Sequence, residues 1–269
     1  MKFGVTANPN IAHARAGVQQ ILPLLGKKHT VTLESDIAAN LGKKGKPLED
    51  MAVDMVLAVG GDGTVLRALQ RTTARVLGIN SGSLGFLTEV TVDEFPDALY
   101  RLERKEFTVE ERGKIAVTVD GKRLPDCTNE AVLHTAQVAK IRDFEVWSNE
   151  TLVQKLRADG IIVATPTGST SYNLSVGGPI VDPRVEALVI SAIAPFKPSA
   201  RATVVPASAS VRVKLAKPKE CLLVLDGQQE VSLKGTEDVR FTGSKERAKL
   251  VKFGDDFYRR IEVKLVGQR

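Results

Sequence analysis

Strand-like and helix-like segments alternate through the first hundred residues, and the strands are predominantly apolar instead of alternating apolar with polar. Met55-Val56-Leu57-Ala58-Val59 and Val76-Leu77-Gly78-Ile79 are unbroken runs, and Phe3-Gly4-Val5-Thr6-Ala7 and Val31-Thr32-Leu33 are similar. Between them, Ile11, Val18, Ile21, Leu22 and Leu25 share one helical stripe, which Gly26, Lys27 and Lys28 close. Val65, Leu66 and Leu69 mark the buried side of a further helix, expected to open near Thr64. A strand that is apolar on both faces must be covered on both faces. The pattern therefore predicts a parallel sheet flanked by helices, an α/β arrangement.

From about Phe107 the period changes. Ile115-Ala116-Val117-Thr118-Val119 runs into Asp120-Gly121, a hairpin turn signal, and short β segments recur at 204–206, 211–215, 222–225 and 239–241. The expectation is an α/β N-terminal domain with a parallel sheet over residues 1–100 and a mainly β C-terminal domain over 101–269. The apolar spacing of residues 257–265 is mixed, so that end is open between helix and strand, and it is free to pack back on the first domain.

Composition narrows the function classes. Of 269 residues 43% are hydrophobic and 26% charged, which supplies buried cores and argues against a disordered chain. No apolar stretch approaches the ~20 residues of a membrane span. The chain enters its first strand without an apolar signal region, so a cytoplasmic protein is expected. Cys127 and Cys221 lack metal-site spacing and read as buried small hydrophobes. Thirty-eight Lys and Arg against 32 Asp and Glu suit an anionic ligand. The densest basic run, Lys43-Lys44-Gly45-Lys46, has no interleaved aromatics and reads as a solvated loop, so no specific nucleic acid is expected as a partner.

Two segments carry chemistry. Gly60-Gly61-Asp62-Gly63-Thr64 sits where a strand ends and a helix begins, the place where open α/β sheets bind ligands. Its glycines let backbone approach a phosphate closely, and the helix start favours negative charge. Asp62 would repel that phosphate unless it coordinates a metal or accepts a proton from an attacking hydroxyl. A glycine-rich turn with Asp62 as a helix cap is the alternative. The second segment follows Arg157-Ala158-Asp159-Gly160 and the buried strand Ile161-Ile162-Val163-Ala164. It runs Thr165-Pro166-Thr167-Gly168-Ser169-Thr170-Ser171-Tyr172-Asn173-Leu174-Ser175 and ends in Gly177-Gly178-Pro179. Its hydroxyls can bond sugar or phosphate oxygens, and Tyr172 can stack on a base. P-loop, dinucleotide-fingerprint, nucleophile-elbow and HExxH motifs are all absent, and His13, His29 and His134 share no motif.

Together with Asn80, Leu84-Gly85-Phe86-Leu87 and Asn129-Glu130, these segments resemble the NAD kinase family, which phosphorylates the adenosine ribose 2′-hydroxyl of NAD to form NADP. The resemblance implies a dinucleotide lying between the two domains. It assigns Asp62 as proton acceptor, Gly60, Gly61, Gly63 and Thr64 as the phosphate-donor loop, and Gly63 and Arg67 beside the nucleotide. It further implies NAD contacts from Asn129, Glu130, Arg157, Asp159, Thr170, Ser171, Tyr172, Asn173, Leu174, Ser175 and Gln228. A divalent cation, Mg²⁺, and ATP or polyphosphate as donor are implied too, with no protein metal ligands assigned, as is a homodimer or homotetramer with shared sites. The chain departs from the family in Pro195-Phe196-Lys197-Pro198-Ser199-Ala200-Arg201, where Pro-His-Ser-Leu-Ser-x-Arg-Pro is common, and in Ala158 for Gly. A lipid kinase of the diacylglycerol or sphingosine type shares the first loop but needs an apolar membrane entrance. A silent dinucleotide sensor would gain nothing from Asp62.

Overall fold

The computed structural model describes residues 1–26, 28–82, 85–197, 200–254 and 257–267, and of Val266 only the backbone. Lys27 and Leu84 lie outside the described residues, as do Pro198 and Ser199 of the divergent stretch. Two compact units result: Met1–Glu111 with Ala248–Arg269, and Arg112–Arg247.

The first unit runs β1 (Lys2–Ala7), α1 (Ala12–Leu25), β2 (Thr30–Leu33), α2 (Ser35–Asn40), β3 (Met55–Gly60), α3 (Asp62–Arg71), β4 (Arg75–Asn80), β5 (Val90–Thr91) and α4 (Phe95–Glu103). The strands pair in parallel in the order β2, β1, β3, β4, with β5 beside β4. Alternate residues of β3 show why its sequence is apolar throughout. Met55, Leu57 and Val59 join the core under α1 and α4 with Phe3, Ile21 and Phe95, while Val56 and Ala58 face Val65, Leu69 and Val76 on the α3 side. Helix α3 opens two residues before the expected Thr64, because Asp62 itself is a good first-turn residue.

The second unit takes in most of β6 (Thr108–Val119), then β7 (Lys122–Arg123), β8 (Glu130–Thr135), β9 (Arg142–Ser148), β10 (Thr151–Ala158), β11 (Gly160–Ala164), α5 (Tyr172–Ser175), β12 (Ala187–Ile193), β13 (Thr203–Pro206), β14 (Val211–Leu215), β15 (Cys221–Leu225), β16 (Gln229–Leu233) and the start of β17 (Val239–Lys252). Antiparallel pairing orders one sheet β13, β12, β11, β8, β15, β16, and a second group β10, β9, β14, β17. Their facing sides share one core, with Leu133, Ile161, Val163 and Leu223 from the first and Phe144, Val146, Val211 and Phe241 from the second. Asp120 and Gly121 make the expected hairpin turn, both at positive φ, with Thr118 opposite Arg123. Cys127 and Cys221 are unpaired and buried, and burial raises both thiols, that of Cys221 to about 11.

The end of β17 returns to the first unit, where Leu250 pairs in parallel with Val76. Residues 257–265 are helical: α6 (Phe257–Ile261) is followed by a π-helical turn, Glu262–Val266. Lys43, Lys44 and Lys46 are exposed in an irregular segment. Among the described residues no helix is long and apolar enough to cross a membrane.

Candidate active site

In the first unit the Gly60-Gly61-Asp62-Gly63-Thr64 segment joins β3 to α3. Gly60 has φ +154, and a Cβ there would lie 2.4 Å from the Thr64 hydroxyl, so only glycine makes this sharp exit from the sheet. Gly61 and Gly63 are exposed, and Thr64 is buried.

Asp62 points into a nest of backbone N–H groups. Its Oδ2 accepts from Phe86 at 2.7 Å, and its Oδ1 from Leu87 at 2.9 Å and Thr88 at 3.2 Å. A carboxylate has about four acceptor positions. These bonds use two on Oδ1 and one on Oδ2, which leaves one acceptor position on Oδ2. Gly85 makes the approach possible, since a Cβ there would be 1.9 Å from Oδ1. Asn80 braces the same loop, donating to Thr88 Oγ1 at 3.2 Å and accepting from the Gly82 N–H at 2.6 Å.

Arg67 is braced within the first unit. Its guanidinium holds Glu34 through both nitrogens, at 3.0 and 2.6 Å, and also donates to Thr6 Oγ1 and the Ala7 carbonyl. Glu34 is 2% exposed and accepts from Arg71 and Thr6 as well. Sequence reasoning passed over Glu34, an acidic residue just past the carboxyl end of β2. Its function is to anchor α3 against β1 and β2.

In the second unit the antiparallel register brings the 128–130 segment, the hydroxyl-rich loop and the Asp226 turn together. Glu130 opens β8 opposite Ala164, the last residue of β11, and Ala131 lies opposite Leu225, the last of β15. The loops after β11 and β15 therefore meet at the start of β8. Thr165 donates its N–H to the Asn129 carbonyl at 2.8 Å and its hydroxyl to the Thr128 carbonyl at 2.6 Å. Gly168 passes so close that a Cβ would sit 2.2 Å from the Asn129 oxygen.

Asp226 organises this corner. Its buried carboxylate accepts the N–H groups of Thr128 at 2.7 Å, Asn129 at 2.8 Å and Glu130 at 3.0 Å. Asp226 and Gly227 both have positive φ in the β15–β16 turn, a role that the Asp-Gly pair signals in the sequence. Burial pushes Asp226 up to about 6, against the pull of those three N–H groups and Lys114. Glu130 rises further, to about 8, through burial first and the neighbouring Asp226 charge second, with the Ser171 hydrogen bond at 3.1 Å opposing. Burial thus favours the protonated form of the Glu130 carboxyl.

Three buried oxygens at this corner, Thr128 Oγ1, Asn129 Oδ1 and Glu130 Oε2, have no partner among the described residues. Buried polar atoms in native folds are nearly always bonded, so these oxygens call for a partner, a ligand or ordered water. Ser171 borders it through Glu130, Tyr172 is 39% exposed and available for stacking, and Gln228 lies exposed in the Asp226 turn. Leu174 is half-buried, Ser175 is exposed, and the Thr170 hydroxyl turns back to the Thr167 carbonyl. Asn173 is fully buried and its amide is used internally: it donates to the Ser169 and Pro179 carbonyls and accepts from Ser191. It shapes the loop.

Arg157 and Asp159 stand at the opposite end of β11. Gly160 pairs with His134, four positions from the Ala164–Glu130 pair, a separation of ~13 Å at the usual strand rise. The Arg157 guanidinium lies 5.2 Å from the Phe196 ring centroid.

Models of two protein domains match: the ATP-NAD kinase N-terminal domain over residues 14–107 and the ATP-NAD kinase C-terminal domain over 128–253. The protein is a phosphotransferase of the kinase class, with its glycine-rich helix start in an α/β unit and its orphaned polar corner in a β unit. A NAD kinase of Thermoplasma volcanium is 41% identical over 99% of this chain and 98% of its own, and one of Methanothermobacter thermautotrophicus is 40% identical over 99% and 96%. A NAD kinase structure from Archaeoglobus fulgidus in complex with ATP superposes with a TM-score of 0.77 at 27% identity, covering 98% of both chains. A yeast NADH kinase complexed with NADH shares the fold at a TM-score of 0.88 and 22% identity, covering 100% of this chain and 88% of that one. The chain belongs to the NAD kinase family, and its activity is that of a NAD kinase.

Proposed function

We propose that the protein transfers the terminal phosphoryl group of ATP to the adenosine ribose 2′-hydroxyl of NAD in the cytoplasm, with Asp62 as proton acceptor. The observation that carries this reading is the open acceptor position on Asp62 Oδ2. As the 2′-oxygen forms its bond to the γ-phosphorus, its proton passes to Oδ2, and the bond to the β,γ-bridging oxygen breaks to release ADP. The helix start at Gly61, Asp62, Gly63 and Thr64 lies against the donor phosphates. ATP as donor rests on the Archaeoglobus fulgidus complex. The decisive assay incubates purified protein with NAD, Mg²⁺ and ATP or polyphosphate and detects NADP directly; no NADP with either donor would reject the reading.

Among the described residues no three His, Cys, Asp or Glu side chains group as a metal cage. Mg²⁺ in phosphoryl-transfer sites is commonly held largely by substrate phosphates and waters, an arrangement that needs no such cage. Held on the donor phosphates, the ion would supply charge neutralisation on the transferred group.

The orphaned oxygens of Asn129 and Glu130 take the adenosine end of NAD, beside Ser171 and Tyr172. Asn129→Ala should raise the NAD KM by about 10- to 100-fold, the equivalent of a buried hydrogen bond worth roughly 1–3 kcal/mol, and leave the ATP constant within about twofold. Steady-state kinetics with each substrate varied in turn checks this. A change confined to ATP would reassign the corner.

Arg157 and Asp159, remote from that corner along β11, serve the dinucleotide site of a neighbouring copy in a homodimer or homotetramer. Mixing inactive Asp62→Asn with inactive Asp159→Ala subunits under exchange conditions should restore part of the activity, because some hybrid sites then carry neither lesion. A fully active monomer in light scattering would reject the shared site.

A further inference from the structure

The loop that holds Asp62 is itself held from its other side. Three consecutive N–H groups, of Phe86, Leu87 and Thr88, converge on the Asp62 carboxylate. When N–H groups converge, the carbonyls of the same peptides are turned away and need partners of their own. The partner is Arg260, from α6 at the far end of the chain. Its Nη1 donates to the carbonyls of Gly85 at 3.4 Å, Phe86 at 3.2 Å and also Thr88, and its Nη2 reaches Glu89 at 2.9 Å. Glu89 in turn accepts from Lys252 and from the Phe253 N–H at 2.7 Å. Lys264 Nζ lies 4.6 Å from the Phe86 ring centroid, so a second cation of the C-terminal helical segment rests on the same loop.

The peptide bookkeeping is specific. The carbonyl of Gly85 and the N–H of Phe86 belong to one peptide group, as do the carbonyl of Phe86 and the N–H of Leu87. Two of the three N–H groups on Asp62 are therefore the far ends of peptides whose oxygens accept from Arg260. A cation at the oxygen end polarises the peptide and strengthens the bond at the N–H end. Arg260 is 5% exposed, so water does not screen the effect. Its planar fork puts the carbonyls on Nη1 and Glu89 on Nη2, two separate groups that a single ammonium nitrogen does not hold in that geometry.

We propose that Arg260 is a positioning residue for phosphoryl transfer: it clamps residues 85–88 so that their N–H groups fix the Asp62 carboxylate with one Oδ2 position free. This rests on the reading of Asp62 as proton acceptor. The ion pair with Glu89 is the anchor, and the three carbonyl contacts are the clamp.

A double-mutant cycle tests it. Arg260→Gln should lower kcat about tenfold while the KM values for NAD and ATP stay within about twofold, since Arg260 acts through Asp62. In the Asp62→Asn background the same change should cost less than about twofold, because the group it positions is already lost. Arg260→Lys, which keeps the charge but has one nitrogen where arginine divides the carbonyls and Glu89 between two, should recover part of kcat. It also substitutes for the Gln variant in the cycle if that variant fails to fold. An equal loss of kcat in both backgrounds, or a rise in KM alone, overturns the proposal and leaves Arg260 as a tie for the C-terminal helix. Near-normal kcat in Asp62→Asn alone overturns the proton-acceptor reading and the clamp with it, a result read in the single variant before any Arg260 change is made.

Discussion

Asp62→Asn should lower kcat by ~10²–10⁴-fold, the usual range for a general base. The amide keeps one oxygen for the Leu87 and Thr88 N–H groups but presents an NH₂ to Phe86, and it cannot take a proton from a hydroxyl. The Phe86 N–H then loses its acceptor at a cost of about 1–3 kcal/mol, within the ~5–15 kcal/mol that holds a typical domain. The protein should remain folded by circular dichroism, and its NAD affinity by calorimetry should stay close to the parent's. Turnover within a few-fold of the parent would remove Asp62 from the chemistry.

Glu130→Gln should reshape the dependence of stability on pH. Glu130 titrates near 4.5 when unfolded and near 8 in the fold. Below that window both states hold the proton. Within it the folded protein binds a proton that the unfolded chain has released, so stability falls as pH rises, by about 1.4 kcal/mol per pH unit at most. Above about 8 both states are ionised and the loss is complete. Glutamine can still accept from Ser171 and carries no charge, so its variant lacks this slope. The urea midpoints of parent and variant should agree at pH 4.5, and the variant should be more stable at pH 9 by a few kcal/mol, on the order set by the raised carboxyl. Asp226, pushed up to about 6 and interacting with Glu130, contributes to both curves, so the comparison reads the pair. Parallel curves would mean that Glu130 is ionised in the fold at neutral pH. Glu130→Ala goes further than the Gln variant, because it removes the Ser171 bond and the unpartnered Oε2 together.

The parallel α/β unit was legible because its strands are apolar on both faces, a requirement that writes itself into consecutive residues such as Met55 to Val59. The glycine loop was legible for a related reason: a sharp strand-to-helix exit needs glycine at Gly60 itself, and the ligand end of an α/β sheet follows from topology. Asn129, Glu130 and the hydroxyl run could be read as chemistry for the β unit, yet no spacing along the chain distinguishes a ligand contact from a brace. Only burial and partners separate Glu130, whose Oε2 is orphaned, from Asn173, whose amide is satisfied inside the loop. The supports of the site left no local trace. Glu34 meets Arg67 across 33 residues, Asp226 grips the 128–130 backbone across 96 to 98, and Arg260 reaches the loop behind Asp62 across 172 to 175. Periodicity and turn chemistry are short-range codes, whereas a lone charged residue acquires its partner only when the fold closes. A buried acid or guanidinium then becomes tolerable because several distant groups satisfy it at once.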